Sequence, residues 1–301
     1  MEKSGEKLMA IQRTSSFKNQ NNDVGALYLV PTPIGNLSDM TPRAIEVLSQ
    51  VDYIASEDTR NTQKLLNHFE IHTKQISFHQ HNTQERIPEL ITLMKNGSDI
   101  AQVSDAGMPS ISDPGHELVE ACIEANLRVI ALPGPNAALT ALIASGILPQ
   151  PFIFYGFLLR KNAEQKKELE KLNQQTMTLI FYEAPHRLLK TLKNMALIFG
   201  EQRKITLCRE LTKRYEEYLR GTLQDAIEWC EQDEVRGEFV LVVEGNEHPQ
   251  TSNSESHLPL KQQVQNLIDN QGMKPNAAIK QVAKNNDLKK QIVYNEFHGI
   301  D

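Results

Sequence analysis

Three loops of the 301-residue chain gather the residue types that build ligand sites. They are Pro31-Thr32-Pro33-Ile34-Gly35-Asn36, Ser104-Asp105-Ala106-Gly107-Met108-Pro109 (running on through Ser112-Asp113-Pro114-Gly115) and Pro133-Gly134-Pro135-Asn136-Ala137. Glycine lets a backbone approach a ligand closely, and proline stiffens a loop without adding a donor. Each loop alone reads as a tight turn; three together on one sheet edge point to a small-molecule pocket. Asp105 is a candidate acceptor for a ligand hydroxyl or amine, or else a turn aspartate that satisfies its own backbone. No GxGxxG follows the first apolar run and no GxxxxGK[ST] occurs, so neither a dinucleotide site nor a phosphate-binding P-loop is expected.

Three further clusters carry groups for proton transfer and anion binding: Glu57-Asp58-Thr59-Arg60, His79-Gln80-His81-Asn82 and Glu183-Ala184-Pro185-His186-Arg187. Glu57, Asp58 or His81 can orient or deprotonate a hydroxyl. The planar guanidinium groups of Arg60 and Arg187 suit phosphates. Each has a structural alternative. Asp58 or Thr59 can cap the helix that follows, and Glu183 can simply pair with Arg187 four residues on. His79 and His81 would share one face of a strand, but no third ligand accompanies them, so no metal is expected.

These loops need elements to hold them. Apolar or β-branched runs at Ala26–Val30, Val51–Ala55, Asp99–Val103 and Arg128–Leu132 read as strands, separated by helical periodicity over 41–49, 60–68, 83–96 and 115–126. That alternation predicts an α/β domain with a largely parallel sheet, over residues 26–148. The three glycine- and proline-rich loops then all follow carboxyl ends of strands, the edge where open α/β sheets bind ligands. Pro149 and Pro151 break the pattern, and a second α/β domain is expected over 149–246, with strands at Phe152–Phe157, Thr178–Tyr182, Lys204–Cys208 and Glu238–Val243. Residues 1–25 read as a disordered lead-in and 247–257 as a polar linker. Residues 258–301 read as a helical tail over 259–271, 275–284 and 287–297. A turn at Gly272–Pro275 makes that tail helix-turn-helix-like. Lys274, Lys280, Lys284, Lys289 and Lys290 can meet phosphates there, or the helices can form a plain bundle.

Composition narrows the partners. The net charge of -6 excludes a wholly basic nucleic-acid binder. The charge is unevenly spread, however: residues 158–214 carry +7, against -6 for 1–157, -9 for 215–257 and +2 for 258–301. The basic block is either a phosphate-contacting surface or a set of solvated helix faces over 160–171 and 187–193. Cys122, Cys208 and Cys230 lie far apart, which excludes a disulfide framework and fits a reducing cytoplasm. No apolar run is long enough for a membrane span, and the first 25 residues are too polar for a secretory leader.

The motifs resemble a known family. Val30-Pro31-Thr32-Pro33-Ile34-Gly35-Asn36-Leu37, Ser56-Glu57-Asp58-Thr59-Arg60, Phe78-His79-Gln80-His81-Asn82, Ser104-Asp105-Ala106-Gly107-Met108-Pro109 and Phe181-Tyr182-Glu183-Ala184-Pro185-His186-Arg187 resemble the ribosomal small-subunit RNA methyltransferase I family, of the tetrapyrrole methylase superfamily. The resemblance covers about residues 26–297. It departs at Met108, where the family usually has threonine, and at Ala184, where it usually has serine; neither change removes an acid-base group. The resemblance implies two α/β domains with S-adenosylmethionine in the cleft between them, and a homodimer. It also implies 2′-O-methylation of a cytidine ribose in the decoding region of 16S rRNA, with the 30S subunit as the setting. Carried over by position, cofactor contacts fall on Ile34, Asp105, Met108, Asn136, Ala137 and Tyr182. Pro33, Gly35, Ser104, Ala106, Gly107, Pro133 and Gly134 complete the three loops. A relative acting on a tetrapyrrole or another small molecule is the alternative within the superfamily. A ribosome-binding factor without catalysis is the alternative outside it.

Overall fold

The computed structural model describes residues 23–247, 259–286 and 288–299. The lead-in expected at 1–25 lies outside the described residues up to residue 22, as does the linker expected at 247–257 from residue 248 onward.

The first half alternates strand and helix: β1 (Ala26–Leu29), α1 (Pro42–Gln50), β2 (Tyr53–Ser56), α2 (Thr59–His68), β3 (Lys74–Ser77), α3 (Thr83–Lys95), β4 (Ile100–Val103), α4 (His116–Glu124) and β5 (Arg128–Ala131). The strands form one wholly parallel sheet in the order β3-β2-β4-β1-β5. Both faces are covered, as parallel sheets require. Successive residues explain how, because a strand points alternate side chains to opposite faces. Ile54 and Ala101 join Leu48 of α1 and Leu66 of α2 on one face. Ala55, Ile100 and Leu27 join Leu90 and Met94 of α3 with Leu118 and Cys122 of α4 on the other.

The second half holds α5 (Ala137–Ser145), β6 (Phe152–Phe157), α6 (Asn162–Leu172), β7 (Thr178–Glu183), α7 (Pro185–Phe199), β8 (Lys204–Arg209), β9 (Glu217–Thr222), α8 (Leu223–Gln232) and β10 (Phe239–Val243). Its sheet runs β6-β7-β10-β8-β9 and is mixed: β6 and β7 are parallel, and the remaining pairs are antiparallel. Helices α6, α7 and α8 pack on one face through Leu169, Leu188, Leu192 and Ile227. The other face, with Ile180, Cys208 and Val242, is covered by Ala138, Ala141 and Leu142 of α5. Thus α5, which follows the first sheet in the chain, seals the second sheet, and both sheets fall in one compact unit.

Two strands differ from the sequence reading. β3 and β9 were not anticipated, and the second strand begins at Tyr53 because Val51 ends α1 as its C-cap. Both unanticipated strands are sheet edges with a polar, half-exposed face (Lys-Gln-Ile-Ser and Glu-Tyr-Leu-Arg-Gly-Thr), so they lack the apolar run of a central strand. His79 and His81 lie in the turn after β3 rather than on a strand.

The second compact unit combines Asn173–Thr176 with the C-terminal residues from Asn246. Its helices are α9 (Leu260–Gln271), α10 (Pro275–Asn285) and α11 (Lys290–His298), closed around Val264, Ile279, Val282 and Val293. Gly272, in the left-handed conformation, ends α9, and Pro275 opens α10.

Candidate active-site cleft

The carboxyl edge of the first sheet faces the ends of β7 and β8 and the start of β10 across a cavity of about 460 Å³. That volume falls in the ~300–1,000 Å³ range of small-molecule sites. From the first sheet the wall is built by Ile34, Ala106–Met108, Ile111–Asp113 and Asn136–Ala137. From the second it is built by Phe157, Tyr182–Ala184, Cys208, Glu210, Leu211, Lys213 and Glu238–Val240.

Local chemistry fixes each wall. Thr32 and Gly107 exchange backbone hydrogen bonds of 3.0 Å, tying the first loop to the second. The Thr32 hydroxyl adds a 3.0 Å bond to the Ser104 carbonyl. Asn136 caps α5, its Oδ1 accepting from the Leu139 N–H at 2.9 Å, so the positive end of that helix opens into the cavity. Gly134 lies so close to Pro31 that a Cβ there would stand 2.5 Å from the proline Cβ. On the opposite wall, Glu210 and Thr212 hold left-handed backbone (φ 49° and 66°) in the turn after β8. That turn projects Lys213 into the cleft, where its Nζ reaches Glu210 Oε1 at 3.0 Å and Glu238 Oε2 at 2.8 Å.

The residues expected from sequence divide among several places. Ile34, Ala106, Gly107, Met108, Asn136, Ala137, Tyr182 and Glu183 line the large cavity. Pro33, Gly35, Ser104 and Asp105 line a neighbouring one of about 250 Å³, together with Asn61 and Lys64. Pro133 and Gly134 line neither of these two; Gly134 serves loop packing against Pro31. Asp105 accepts a 3.0 Å bond from Asn61 Nδ2, and its backbone N–H points to Glu57 Oε2 at 3.4 Å. Asp58 caps α2 and grips Arg60 at 2.8 Å, with the Arg60 side chain 87% exposed. Glu183 is buried: it takes the Thr191 hydroxyl at 2.6 Å, the Ala184 N–H at 2.9 Å and Arg187 Nε at 3.3 Å. Arg187 also donates to the Leu158 carbonyl at 2.8 Å, so this pair braces the wall from within. The rings of His79 and His81 meet edge to face at 6.1 Å. Among the described residues, no group of three or more His, Cys, Asp or Glu side chains is arranged to hold a metal ion.

Electrostatics sort the titratable groups. Burial, then the neighbouring Asp113, pushes the Glu57 carboxyl above its usual range. Burial does the same for Asp113, with Asp105 adding to it. The Arg60 guanidinium holds Asp58 down at about 2. Burial works against Lys213, yet Glu238 and Glu210 keep its ammonium above the usual lysine value. Burial pushes the Cys208 thiol up to about 12.

Sequence reasoning missed the far wall: Phe157, Cys208, Glu210, Leu211, Lys213 and Glu238. It also left Asp113 out of the candidate site, although the loop containing it was noted. The available signal was the charged stretch Arg209-Glu210-Leu211-Thr212-Lys213 directly at the end of an apolar strand.

Known proteins share this architecture. The family model described as Tetrapyrrole (Corrin/Porphyrin) Methylases matches residues 26–227, which span the first sheet and most of the second. A solved structure of uroporphyrin-III C-methyltransferase from Thermus thermophilus, complexed with S-adenyl homocysteine, has the same fold. It aligns with a TM-score of 0.53 at 17% identity, covering 73% of this chain and 97% of that one. The ribosomal RNA small subunit methyltransferase I of Bacillus subtilis (strain 168) is 51% identical over 291 residues, 96% of this chain and 99% of the relative. Its counterpart from Streptococcus pyogenes serotype M18 is 50% identical over 290 residues, 96% and 100% of the two chains. The chain therefore belongs to the ribosomal RNA small subunit methyltransferase I family, within the tetrapyrrole methylases.

Proposed function

We propose that the chain transfers a methyl group from S-adenosylmethionine to the ribose 2′-hydroxyl of a cytidine in the decoding region of 16S rRNA, in the 30S subunit. The observation that carries this reading is the roughly half identity, end to end, with relatives named for small-subunit ribosomal RNA methylation. The cytidine and its 2′-oxygen follow from the motif resemblance in the loops at 30–37, 104–109 and 181–187.

The cleft fits the cofactor. Ile34, Ala137, Leu211 and Val240 offer an apolar wall for a purine, and Glu210 offers an acceptor for hydroxyl and amine donors. The structural relative's S-adenyl homocysteine is the demethylated form of the same molecule. When bound, the cofactor supplies an activated sulfonium methyl. The chain's part is then alignment, which can contribute roughly 7–11 kcal/mol toward the barrier. Ile34, Met108, Asn136, Ala137 and Tyr182 would hold it directly. Asp105, tethered by Asn61 and Glu57, would fix the Ala106–Met108 wall on which it rests. Lys213, the one cationic side chain lining the large cavity among the described residues, would meet a phosphate beside the target ribose. Tyr215, 69% exposed with Arg214 5.6 Å over its ring, would offer the next base a stacking surface. A homodimer belongs to this reading: α5 exposes Leu139 and Ile143, an apolar face of the kind that protein contacts cover.

The test is transfer of label from S-adenosylmethionine to naked 16S rRNA or to 30S subunits that lack the modification, followed by mapping of ribose methylation. Label should appear on one cytidine 2′-oxygen. Cofactor binding without transfer to any RNA would refute the proposal.

A further inference from the structure

The cleft contains several ionisable groups, and all but one are engaged. Glu183 spends both carboxylate oxygens on Thr191, Ala184 and Arg187. Glu210 and Glu238 are joined through Lys213, and Glu210 also accepts the Glu238 N–H at 2.9 Å. Lys213, held between two carboxylates, stays protonated and cannot take a proton. Cys208 is buried against the Ala141 carbonyl, and burial raises the Tyr182 phenol further above neutrality. Asp113 remains. It lines the cavity from the loop after β4, and no cation pairs with it among the described residues.

We propose that Asp113 is the catalytic base that accepts the proton of the substrate hydroxyl during methyl transfer. This rests on the methyltransferase reading above. In the step, the substrate oxygen bonds to the methyl carbon as the carbon–sulfur bond breaks toward sulfur, leaving a neutral thioether. The hydroxyl proton passes to an Asp113 carboxylate oxygen and from there to water. The setting suits the task. Glu57 and Asp105 face Asp113 from the first sheet and Tyr182 from the second, close enough for their charges to act on one another. Burial, and then the charge of Asp105, make Asp113 bind a proton more tightly than a free aspartate, moving it toward the pKa at which a base works best near neutrality. The Ser104 hydroxyl stands beside it, orients the carboxyl and favours its ionised form, pulling against burial.

The experiment compares wild type, Asp113→Asn and Asp113→Glu on 30S subunits at saturating S-adenosylmethionine across pH 4–9, with cofactor Kd measured by calorimetry. Base catalysis predicts a loss of about 10²–10⁴ in kcat for the asparagine variant, partial recovery with glutamate, and a cofactor Kd within about threefold of wild type. Because the base must be ionised, wild-type kcat should rise with pH through an apparent pKa above the ordinary aspartate range; the asparagine variant should lose that limb. An asparagine variant with near-normal kcat, or one that loses only cofactor affinity, overturns the assignment of Asp113 and leaves the methyltransferase reading standing. A wild-type protein that transfers no methyl to RNA overturns both.

Discussion

At the scale of single residues, the cleft is asymmetric. Its first-sheet wall is mostly apolar or small side chains with one carboxylate, Asp113, whereas its second-sheet wall carries Glu183, Glu210, Lys213 and Glu238. Lys213 shows what that charge is for. Its contact to Glu238, a side chain 83% exposed, is a weakly held surface pair that an incoming phosphate can replace. Its contact to Glu210, 20% exposed, keeps the ammonium in place while that exchange occurs. Lys213→Gln should therefore raise KM for RNA about tenfold, the worth of one charge-assisted bond. Cofactor affinity should be nearly unchanged. A variant that changes cofactor Kd and leaves KM for RNA alone would place Lys213 on the cofactor. Asp105→Ala removes the tether to Asn61 and should weaken S-adenosylmethionine about tenfold by calorimetry. Unchanged affinity would separate the loop 104–108 from the cofactor. The sequence made the first wall legible because glycine and proline mark it out directly. It hid the second because Glu210, Lys213 and Glu238 meet only once β10 pairs antiparallel with β8, placing Phe239 opposite Arg209. Nor does an i,i+4 spacing reveal whether Glu183 and Arg187 face a ligand or each other; their burial and 3.3 Å contact show the latter.

At the scale of elements, the site depends on how tightly strand ends and helix starts are fastened. Helix α8 begins with a reciprocal capping box, Thr222 Oγ1 taking the Asp225 N–H at 3.2 Å while Asp225 takes the Thr222 N–H at 2.8 Å. Thr222→Ala should lower unfolding free energy by about 1 kcal/mol in urea, with kcat unchanged, since α8 lies on the sheet face away from the cleft. Gly134→Ala is the contrasting case. Its new Cβ would meet a rigid proline ring at 2.5 Å, so loops 31–36 and 133–137 must part. We expect a loss of about 1–3 kcal/mol in stability together with weaker cofactor binding, because both loops line the cavity. Normal cofactor affinity would show that loop spacing does not govern the site. Central strands were readable as apolar runs, and the start of α2 as the cap Asp58. The edge strands β3 and β9 were not, since half-exposed edges mix polar and apolar residues and only a neighbouring strand makes them extended.

At the scale of the molecule, the distribution of charge matters more than its total. An acidic chain of net charge -6 would repel a polyanion if its charge were uniform. Residues 158–214 are locally basic, but much of that excess is already matched. Lys161 pairs with Glu164, Lys193 with Glu231, Lys204 with Glu244 and Arg209 with Glu217. Arg160, Lys167 and Lys171, exposed on and just before α6, make no ion pair among the described residues. Helix α6 is therefore the part of the basic block best able to release counterions from RNA. Each phosphate neutralised on single-stranded nucleic acid contributes about 0.7 to the slope of log K against log salt. Replacing Arg160, Lys167 and Lys171 together with glutamine should flatten that slope by about 2 for 16S rRNA binding. Overall affinity should fall at low salt while cofactor Kd holds. These side chains are exposed, so thermal stability should hold as well. An unchanged slope with unchanged affinity would show that the basic block is only a solvated face, and would move the RNA-contacting surface to the lysines of the C-terminal helices.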